Sequence, residues 1–503
     1  MLVLHAQFHS LVLNFNANFY HQGFFIDIRV KLLHSKDPRD QAGAARALSR
    51  LANINDENKH KVKAAASDGT VIRPLVELLG HQYSDDVNEH AAYLLYIILS
   101  HGHANNQAKV VEVGAIPLLV SLLGPKSSVK VQSKAAGLLS ILATDADNRV
   151  SITEANAIPP LVSLLVCQYS AVVQLMASAA LHYVSWSADS QVRIVEAGAI
   201  SPLVSLLGPQ SSTEVQSNSV GVLRYLASNA DIQIKIIESG AIPPLVSLLG
   251  HQSSPEVQSD AAYLLSLLSQ NVENQVKIVE AGAIPPLVSM LAPHGSAEMQ
   301  QNALLELGFL ANNSIDYHAQ IVAAGAIPSL VALLGRQSSE WVRDKSILML
   351  AMILAMLQDT VDSCAVAAAC NMVNHSQIID EIIAAGAFPL LVGMLGPQNP
   401  TDLQGKSAIV LSGLVCNADS QAKLALADAI PPLVALLGSQ SPSLLVQESA
   451  AQVLGSLALN DVETSAKIRS AGGVSALNQL LASSTNKHVK QIAESSLQII
   501  ANE

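Results

Sequence analysis

The sequence predicts an all-helical (all-α) protein, a solenoid of about ten to eleven three-helix repeats. Three observations predict this fold class: a period of 42 to 44 residues, Gly and Pro at fixed places within each period, and a composition rich in aliphatic residues. Half of the 503 residues are hydrophobic, but only 4% are aromatic and 14% are charged. Typical soluble domains carry about 25% charged residues, so the composition favours stacked helices with a long continuous core.

The period is measured from one leucine of a recurring Leu-Val motif. Successive aligned leucines are 42 to 44 residues apart, except for one interval of 61 residues between Leu330 and Leu391. Self-similarity at a fixed spacing of this length is the signature of a repeat array. The aligned leucines are Leu75, Leu119, Leu161, Leu203, Leu245, Leu287, Leu330, Leu391, Leu433 and Leu477.

One repeat, read from residue 274, divides into three helices. Residues 274–281 form a short first helix, and Gly282 ends it because glycine readily adopts the left-handed conformation. The next helix covers residues 287–291 and is opened by two prolines, which are tolerated in a first helical turn. A polar turn leads into the third helix, about residues 297–311, whose apolar positions follow the helical spacing.

The residue that ends the first helix supports these boundaries. It is glycine in eight repeats, at positions 69, 114, 198, 240, 282, 325, 386 and 472. In the two other repeats it is Asn156 or Asp428. Asn and Asp are the residues other than glycine that best tolerate left-handed geometry, so we expect the same backbone conformation at all ten positions.

Two segments depart from the period. Residues 1–25 match no part of the repeat and contain five of the seven phenylalanines, so we expect either a cap on the first repeat or a poorly ordered tail. The repeat array then covers residues 26–501. The excess of 19 residues before Leu391 falls around residues 358–375, which we expect to protrude from the array as an insertion.

The repeat resembles a known family. Residues 274–289, NQVKIVEAGAIPPLVS, and residues 254–269, SPEVQSDAAYLLSLLS, are similar to the armadillo repeat found in plant and yeast vacuolar armadillo proteins and, more distantly, in the β-catenin and importin-α families. The resemblance implies a right-handed superhelix whose third helices line a concave groove. It also implies that this groove binds extended peptides of other proteins.

The resemblance also indicates where a partner would bind. Peptide-binding armadillo proteins carry Trp and Asn four residues apart on the third helix, but no Asn occupies the aligned positions here. Apolar and aromatic residues stand there instead, and contiguous exposed apolar surface usually marks an interaction site. The alternative is that these side chains only pack between neighbouring third helices. The candidate groove residues are Tyr93, Ile97, Tyr183, Tyr225, Tyr263, Leu267 and Phe309.

Charge restricts the class of partner. The formal net charge is −12, and the sequence suggests no Lys/Arg cluster, so we expect neither nucleic acid nor a membrane surface as partner. We expect extended segments of other proteins, apolar or basic in character. Residues 347–357, the most apolar run, are too short to span a membrane. With only four cysteines, the expected location is the cytoplasm, or alternatively the nucleus.

No catalytic, cofactor or metal site is predicted. Cys364, Cys370 and His375 lie in the insertion without a Cys-x-x-Cys pair, and His101 and His103 fit a solvated turn. No Walker loop, Gly-x-Gly-x-x-Gly or Gly-x-Ser-x-Gly motif is present. We therefore predict a non-enzymatic scaffold or adaptor. The alternatives are the substrate-recognition part of a ubiquitin ligase and, disfavoured by the missing Asn residues, a nuclear transport adaptor.

Overall fold

The computed structural model describes residues 21–65, 69–100, 104–166, 170–293, 295–312, 314–359, 376–415, 417–438, 444–459 and 461–502. All regular secondary structure in these ranges is helical, which confirms the predicted fold class. The chain divides into two compact units, Met1–Pro244 and Leu245–Glu503. Residues 360–375, most of the predicted insertion, and residues 1–20, most of the segment before the array, lie outside the described ranges.

The first unit opens with two helices that pack against each other, His21–Leu32 and Pro38–Ala52. Four three-helix repeats and the first helix of a fifth follow. Repeat 1 comprises Asp56–Ala65, Ile72–Glu77 and Asp85–Leu99; repeat 2, Ala104–Glu112, Ala115–Leu122 and Val129–Leu142; repeat 3, Ala146–Glu154, Ile158–Ser163 and Ala171–Val184; repeat 4, Ala188–Glu196, Ile200–Ser205 and Thr213–Leu226; and the first helix of repeat 5 is Ala230–Glu238.

The division between the units falls within the second helix of repeat 5, Ile242–Leu248. The helices that follow are Pro255–Leu268, the third helix of repeat 5; repeat 6, Val272–Glu280, Ile284–Met290 and Ala297–Ala311; repeat 7, Ile315–Ala323, Ala326–Leu333 and Glu340–Asp359; repeat 8, Ser376–Ala384, Ala387–Met394 and Thr401–Leu414; repeat 9, Ala418–Leu426, Ile430–Leu436 and Leu444–Ala458; and repeat 10, Val462–Ser470, Gly473–Ser483 and Lys487–Asn502.

The third helices carry the stack within each unit. In the first unit they pack in series from Pro38–Ala52 to Thr213–Leu226, and in the second unit from Pro255–Leu268 to Lys487–Asn502. The aligned leucine of every second helix is completely buried against them, from Leu75 to Leu477. Each repeat thus contributes to a core shared with its neighbours, as expected for a repeat array.

Local signals set the helix boundaries. Gly, Asn156 or Asp428 ends the first helix of each repeat with a positive φ, as predicted at all ten positions. Serine precedes most third helices, and its side chain caps the helix; Ser212 Oγ, for example, accepts a hydrogen bond from the backbone N–H of Val215 at 3.4 Å. Such a cap satisfies one of the free N–H groups of the first turn.

A glutamine ties the third helix to the second. The fourth residue of the third helix is Gln in seven of the described repeats, and its amide donates to carbonyls just beyond the second helix. Gln216 Nε2 lies 3.3 Å from the carbonyl oxygen of Leu207 and 3.0 Å from that of Gly208. We call this set the glutamine ladder: Gln132, Gln174, Gln216, Gln258, Gln300, Gln404 and Gln447.

Candidate partner-binding surface

The predicted groove residues all lie on third helices. In the first unit, Tyr93, Tyr183 and Tyr225 are half-buried. Ile97 departs from the expectation, since only 1% of it is exposed. It lines a small pocket together with residues of the first helix of repeat 1, and its burial places it in the core, where it cannot anchor a partner. In the second unit, Tyr263, Leu267 and Phe309 are half-buried on successive third helices, and Trp341 is exposed.

The structure brings Tyr183 and Tyr225 together through two further rings. We call His182, Tyr183, Trp186 and Tyr225 the aromatic cluster. The ring centroids of Tyr183 and Trp186 are 5.3 Å apart in a T-shaped arrangement, and those of Trp186 and Tyr225 are 6.3 Å apart. His182 stacks on Tyr183 at 5.6 Å and lies 6.2 Å from Tyr225. Aromatic pairs at these separations attract each other beyond their burial of apolar area.

Trp186 is the exposed member of the aromatic cluster, with 43% of its surface accessible. It follows the third helix of repeat 3, two residues beyond the last helical residue. The sequence reading missed it because only positions inside the third helix were aligned. Its spacing of three residues from Tyr183 is the helical spacing that places two side chains on one face, and this was the available signal.

Two arginines lie over the cluster. The Cζ atom of Arg149 is 5.5 Å from the centroid of the Trp186 ring, and that of Arg224 is 5.3 Å from the Tyr225 ring. Arg149 is held in place because its Nη1 donates to the carbonyl oxygens of Ala143 at 3.0 Å and Thr144 at 3.2 Å. Guanidinium groups at this distance attract the faces of aromatic rings, so the cluster combines an apolar surface with positive charge.

A glycine makes room for the cluster. A Cβ atom on Gly221 would lie only 2.8 Å from His182 Nε2, so this position accepts no larger residue without a shift of the histidine. Burial lowers the pKa of His182, and the charge of Arg224 lowers it further, although a hydrogen bond with Asn218 opposes them. The imidazole is therefore neutral at pH 7 and packs as an aromatic ring.

A second group of rings and cations lies on repeats 1 and 2. Lys134 Nζ is 4.8 Å from the centroid of Tyr93 and 5.8 Å from that of Tyr96. Burial is the main cause of a lowered pKa at Lys134. The sequence reading did not identify Tyr96 or Lys134, because a single lysine in a helix gives no signal of its surroundings.

The pocket beside Ile97 is lined by positively charged side chains that the sequence analysis did not predict. It has a volume of about 140 Å³ and is lined by Asp56, Lys59, His60, Lys63 and Ile97. The expectation of no Lys/Arg cluster is wrong here, since residues 59–63 read Lys-His-Lys-Val-Lys on one helix. The net acidic charge of the chain concealed this local positive charge.

The first helices of the first unit expose a different apolar surface. Val150, Val192 and Ile234 occupy the same position in three successive repeats, and each is more than half exposed. The first helices of repeats 3 and 4 touch through a 2.8 Å hydrogen bond between Thr153 Oγ1 and Ser190 Oγ. The exposed side chains of this second surface are aliphatic, in contrast to the rings of the aromatic cluster.

The described ranges show neither a metal-binding cluster nor a single membrane-spanning helix. In the described ranges, no group of three or more His, Cys, Asp or Glu residues could hold a metal ion. Cys364, Cys370, His375, His101 and His103 lie outside these ranges. No single described helix is long and apolar enough to cross a membrane; the bent pair Ser376–Ala384 and Ala387–Met394 passes that test by length and composition alone.

Comparisons with known proteins agree with this geometry. The armadillo/β-catenin-like repeat family matches residues 103–144, 187–228, 229–270 and 271–305. The crystal structure of an engineered protein from the Northeast Structural Genomics Consortium is similar, with 26% identity, a TM-score of 0.57, and coverage of 95% of this chain and 99% of that one. A search of the curated proteins finds no match. The family matches and the consecutive three-helix repeats together show that the chain contains armadillo repeats.

Proposed function

We propose that this protein is a non-enzymatic scaffold that holds an extended segment of a partner protein against the third helices of its first unit. The armadillo solenoid is a scaffold-type fold that is generally non-catalytic and typically binds other proteins. The observation that carries the proposal is the aromatic cluster, where Trp186 is 43% exposed beside Tyr183 and Tyr225. Trp, Tyr and Arg are the residues most enriched at energetic centres of protein interfaces.

The cluster is suited to act as an anchor because it is ordered without a partner. Ring contacts fix His182, Tyr183 and Tyr225, and two backbone carbonyls fix Arg149. A partner that binds here loses little side-chain freedom on the scaffold side, and preorganised surfaces bind more tightly for this reason. The third helices of the second unit, with Tyr263, Leu267 and Phe309, are proposed as a separate, weaker apolar contact surface.

The test replaces the three exposed or half-exposed rings together, as Tyr183→Ser, Trp186→Ser and Tyr225→Ser. Truncating an interface anchor costs about 2 kcal/mol or more, so we expect the affinity for captured partners to fall at least about a hundredfold. Partners would be captured from cell extract with the full chain and identified by mass spectrometry. Their affinities for wild type and variant would then be measured by calorimetry.

The matched control removes apolar side chains from the first helices, as Val150→Ser, Val192→Ser and Ile234→Ser. These residues are at least as exposed as Trp186 and lie on the same unit. We expect this variant to bind as wild type does. If the control loses binding and the aromatic variant keeps it, while both retain the helical circular dichroism spectrum, the partner surface lies on the first helices and the proposal is wrong.

A further inference from the structure

The cations beside the aromatic rings of the first unit indicate the chemistry of the partner. The chain as a whole is acidic, with a net charge of −12. Yet in its first unit the charged side chains that lie over aromatic rings are Lys134, Arg149 and Arg224. A basic segment would meet like charge at each of these places, and like-charge contacts across an interface are unfavourable. The local charges therefore oppose the basic partner that the net charge alone suggests.

Lys134 is the most informative of these cations. It is half-buried over two tyrosine rings and makes no salt bridge within the described part of the chain. The nearest carboxylate whose charge it feels is Glu89, which already lies 3.6 Å from Lys130. A partly desolvated ammonium without a close carboxylate binds an incoming anion strongly, because little water must be removed from it.

The pocket beside Ile97 adds two more cations. Lys59 and Lys63 are one helical turn apart on Asp56–Ala65, both are half-buried, and neither has a salt-bridge partner among the described residues. Asp56 also lines the pocket and offsets one positive charge. Lys59 is near enough to Lys134 for its charge to lower the pKa of Lys134. The two sets of cations thus belong to one neighbourhood on repeats 1 and 2.

We infer that Lys59, Lys63 and Lys134 form a subsite for carboxylate side chains of an acidic segment in the partner protein. The inference rests on the proposed function, because it assigns the chemistry of the segment that the same third helices hold. The half-buried rings of Tyr93 and Tyr96 supply the apolar surface beside Lys134, so the fitting segment alternates Asp or Glu with apolar residues. The same segment would meet Arg149 and Arg224 at the aromatic cluster.

Two synthetic peptides test the subsite with the full chain. One is a labelled peptide of leucine, glutamate and glycine, and the other has lysine at every glutamate position. We expect fluorescence anisotropy at low salt to show the glutamate peptide binding at least about tenfold more tightly than the lysine peptide. Added salt should weaken the binding of the glutamate peptide, because ions screen exposed charges.

Variants then locate the binding. A triple variant should bind the glutamate peptide about tenfold more weakly, since hydrogen bonds to charged groups are stronger than those between neutral groups. It combines Lys59→Ala, Lys63→Ala and Lys134→Met. Methionine keeps the apolar stem over the two tyrosines. The matched control, Lys126→Ala, Lys235→Ala and Lys277→Ala, removes the same charge from exposed positions and should bind as wild type does.

Each other outcome overturns the inference. Equal binding of both peptides, or of neither, excludes an acidic preference. If both triple-lysine variants weaken the binding of the glutamate peptide equally, the effect comes from net charge only. A single-stranded RNA that binds more tightly than the glutamate peptide assigns the lysines to nucleic acid. None of these results touches the proposed function, which fails only if captured partners are indifferent to the aromatic variant.

Discussion

At the scale of single residues, the same amino acid has opposite roles in two third helices. Gly221 lies against His182, where an added methyl group would be 2.8 Å from Nε2, whereas a Cβ on Gly308 would meet no atom within 4 Å. Glycine in a helix interior is ordinarily a cost in conformational entropy. The absence of a side chain at Gly221 therefore leaves room for the ring of His182, whereas no neighbouring group requires glycine at position 308.

Alanine substitutions at these two positions should shift stability in opposite directions. Gly221→Ala overpacks the aromatic cluster and should destabilise the protein by about 1–3 kcal/mol. Gly308→Ala should stabilise it by about 0.4–1 kcal/mol. Thermal unfolding followed by circular dichroism measures both. In a Trp341→Phe background, Gly221→Ala should also change the emission of Trp186, which lies 6.0 Å from His182. A rise in Tm for both variants would contradict the packing.

Glu306 is a second residue whose surroundings decide its role. It is fully buried in the third helix of repeat 6, and Ser269 Oγ donates to its Oε1 at 2.6 Å. Oε2 has no hydrogen-bond partner within the described residues. Burial raises the pKa of Glu306 to about 8, although the bond from Ser269 opposes this. The aligned residues are apolar and buried: Leu94, Leu138, Ala180, Val222 and Leu264.

The raised pKa makes stability depend on pH. Since the pKa in the folded protein, about 8, lies above the ordinary value of 4.5, the contribution of Glu306 to stability is greatest below pH 4.5 and is lost as the pH rises through 8. The slope between these limits is about 1.4 kcal/mol per pH unit. Urea unfolding at a series of pH values measures it. Glu306→Leu should remove this slope and stabilise the protein at pH 8.

A substitution on the surface of the same helix is the control for Glu306. Glu298 is exposed in the first turn of Ala297–Ala311. Glu298→Leu should leave the slope as in wild type. If Glu306→Leu keeps the wild-type slope as well, the pH dependence arises elsewhere and the carboxyl group of Glu306 is not protonated in the folded protein.

At the scale of helices, the glutamine ladder joins the second and third helices of seven repeats. Gln216→Leu would leave the carbonyl group of Leu207 without its side-chain donor, whereas the carbonyl group of Gly208 would still accept from the backbone N–H of Ser211. An unsatisfied buried acceptor costs about 1–3 kcal/mol. Chemical unfolding should show that loss. Gln210 is the matched control, because it is exposed and donates only to the Ser205 carbonyl. Gln210→Ala should change the free energy of unfolding by less than about 0.5 kcal/mol. If both variants lost the same free energy of unfolding, the glutamine ladder would contribute nothing specific to stability.

Helix boundaries were largely predictable from local signals. The first helix read as residues 274–281 is Val272–Glu280, and the third is Ala297–Ala311 as predicted. The second helix begins earlier than predicted, at Ile284, because its two prolines occupy the first turn rather than precede it. The ladder was missed, although Gln recurs with the period, because a side-chain bond to a carbonyl eight residues away has no signature in the spacing of apolar residues.

At the scale of the whole molecule, the period predicted the repeat fold and its count. Ten complete three-helix repeats lie within the described residues, following one pair of helices, and the prediction was about ten to eleven. The period was sufficient because a repeat contacts mainly its neighbours, so one correct repeat determines the next. The bounds of the array, residues 26–501, stay a prediction.

The candidate surface was less predictable than the fold. Alignment placed Tyr183 and Tyr225 in equivalent positions, but the contact between them depends on His182 and Trp186, neither of which stands at an aligned groove position. Ile97 was wrongly assigned to the groove because this helical position is buried in repeat 1 but half-exposed in later repeats. Charge was misread because a net value for 503 residues averages over local groups such as Lys59 and Lys63.

The buried carboxyl group of Glu306 also links folding to the solvent. Between pH 4.5 and 8 the unfolded chain holds this group as a carboxylate and the folded chain holds it as an acid. Unfolding at neutral pH therefore releases a proton, and the buffer takes it up. The heat of unfolding measured in a calorimeter then includes the heat of protonating the buffer, so the apparent enthalpy differs between phosphate and Tris even where the unfolding itself is the same.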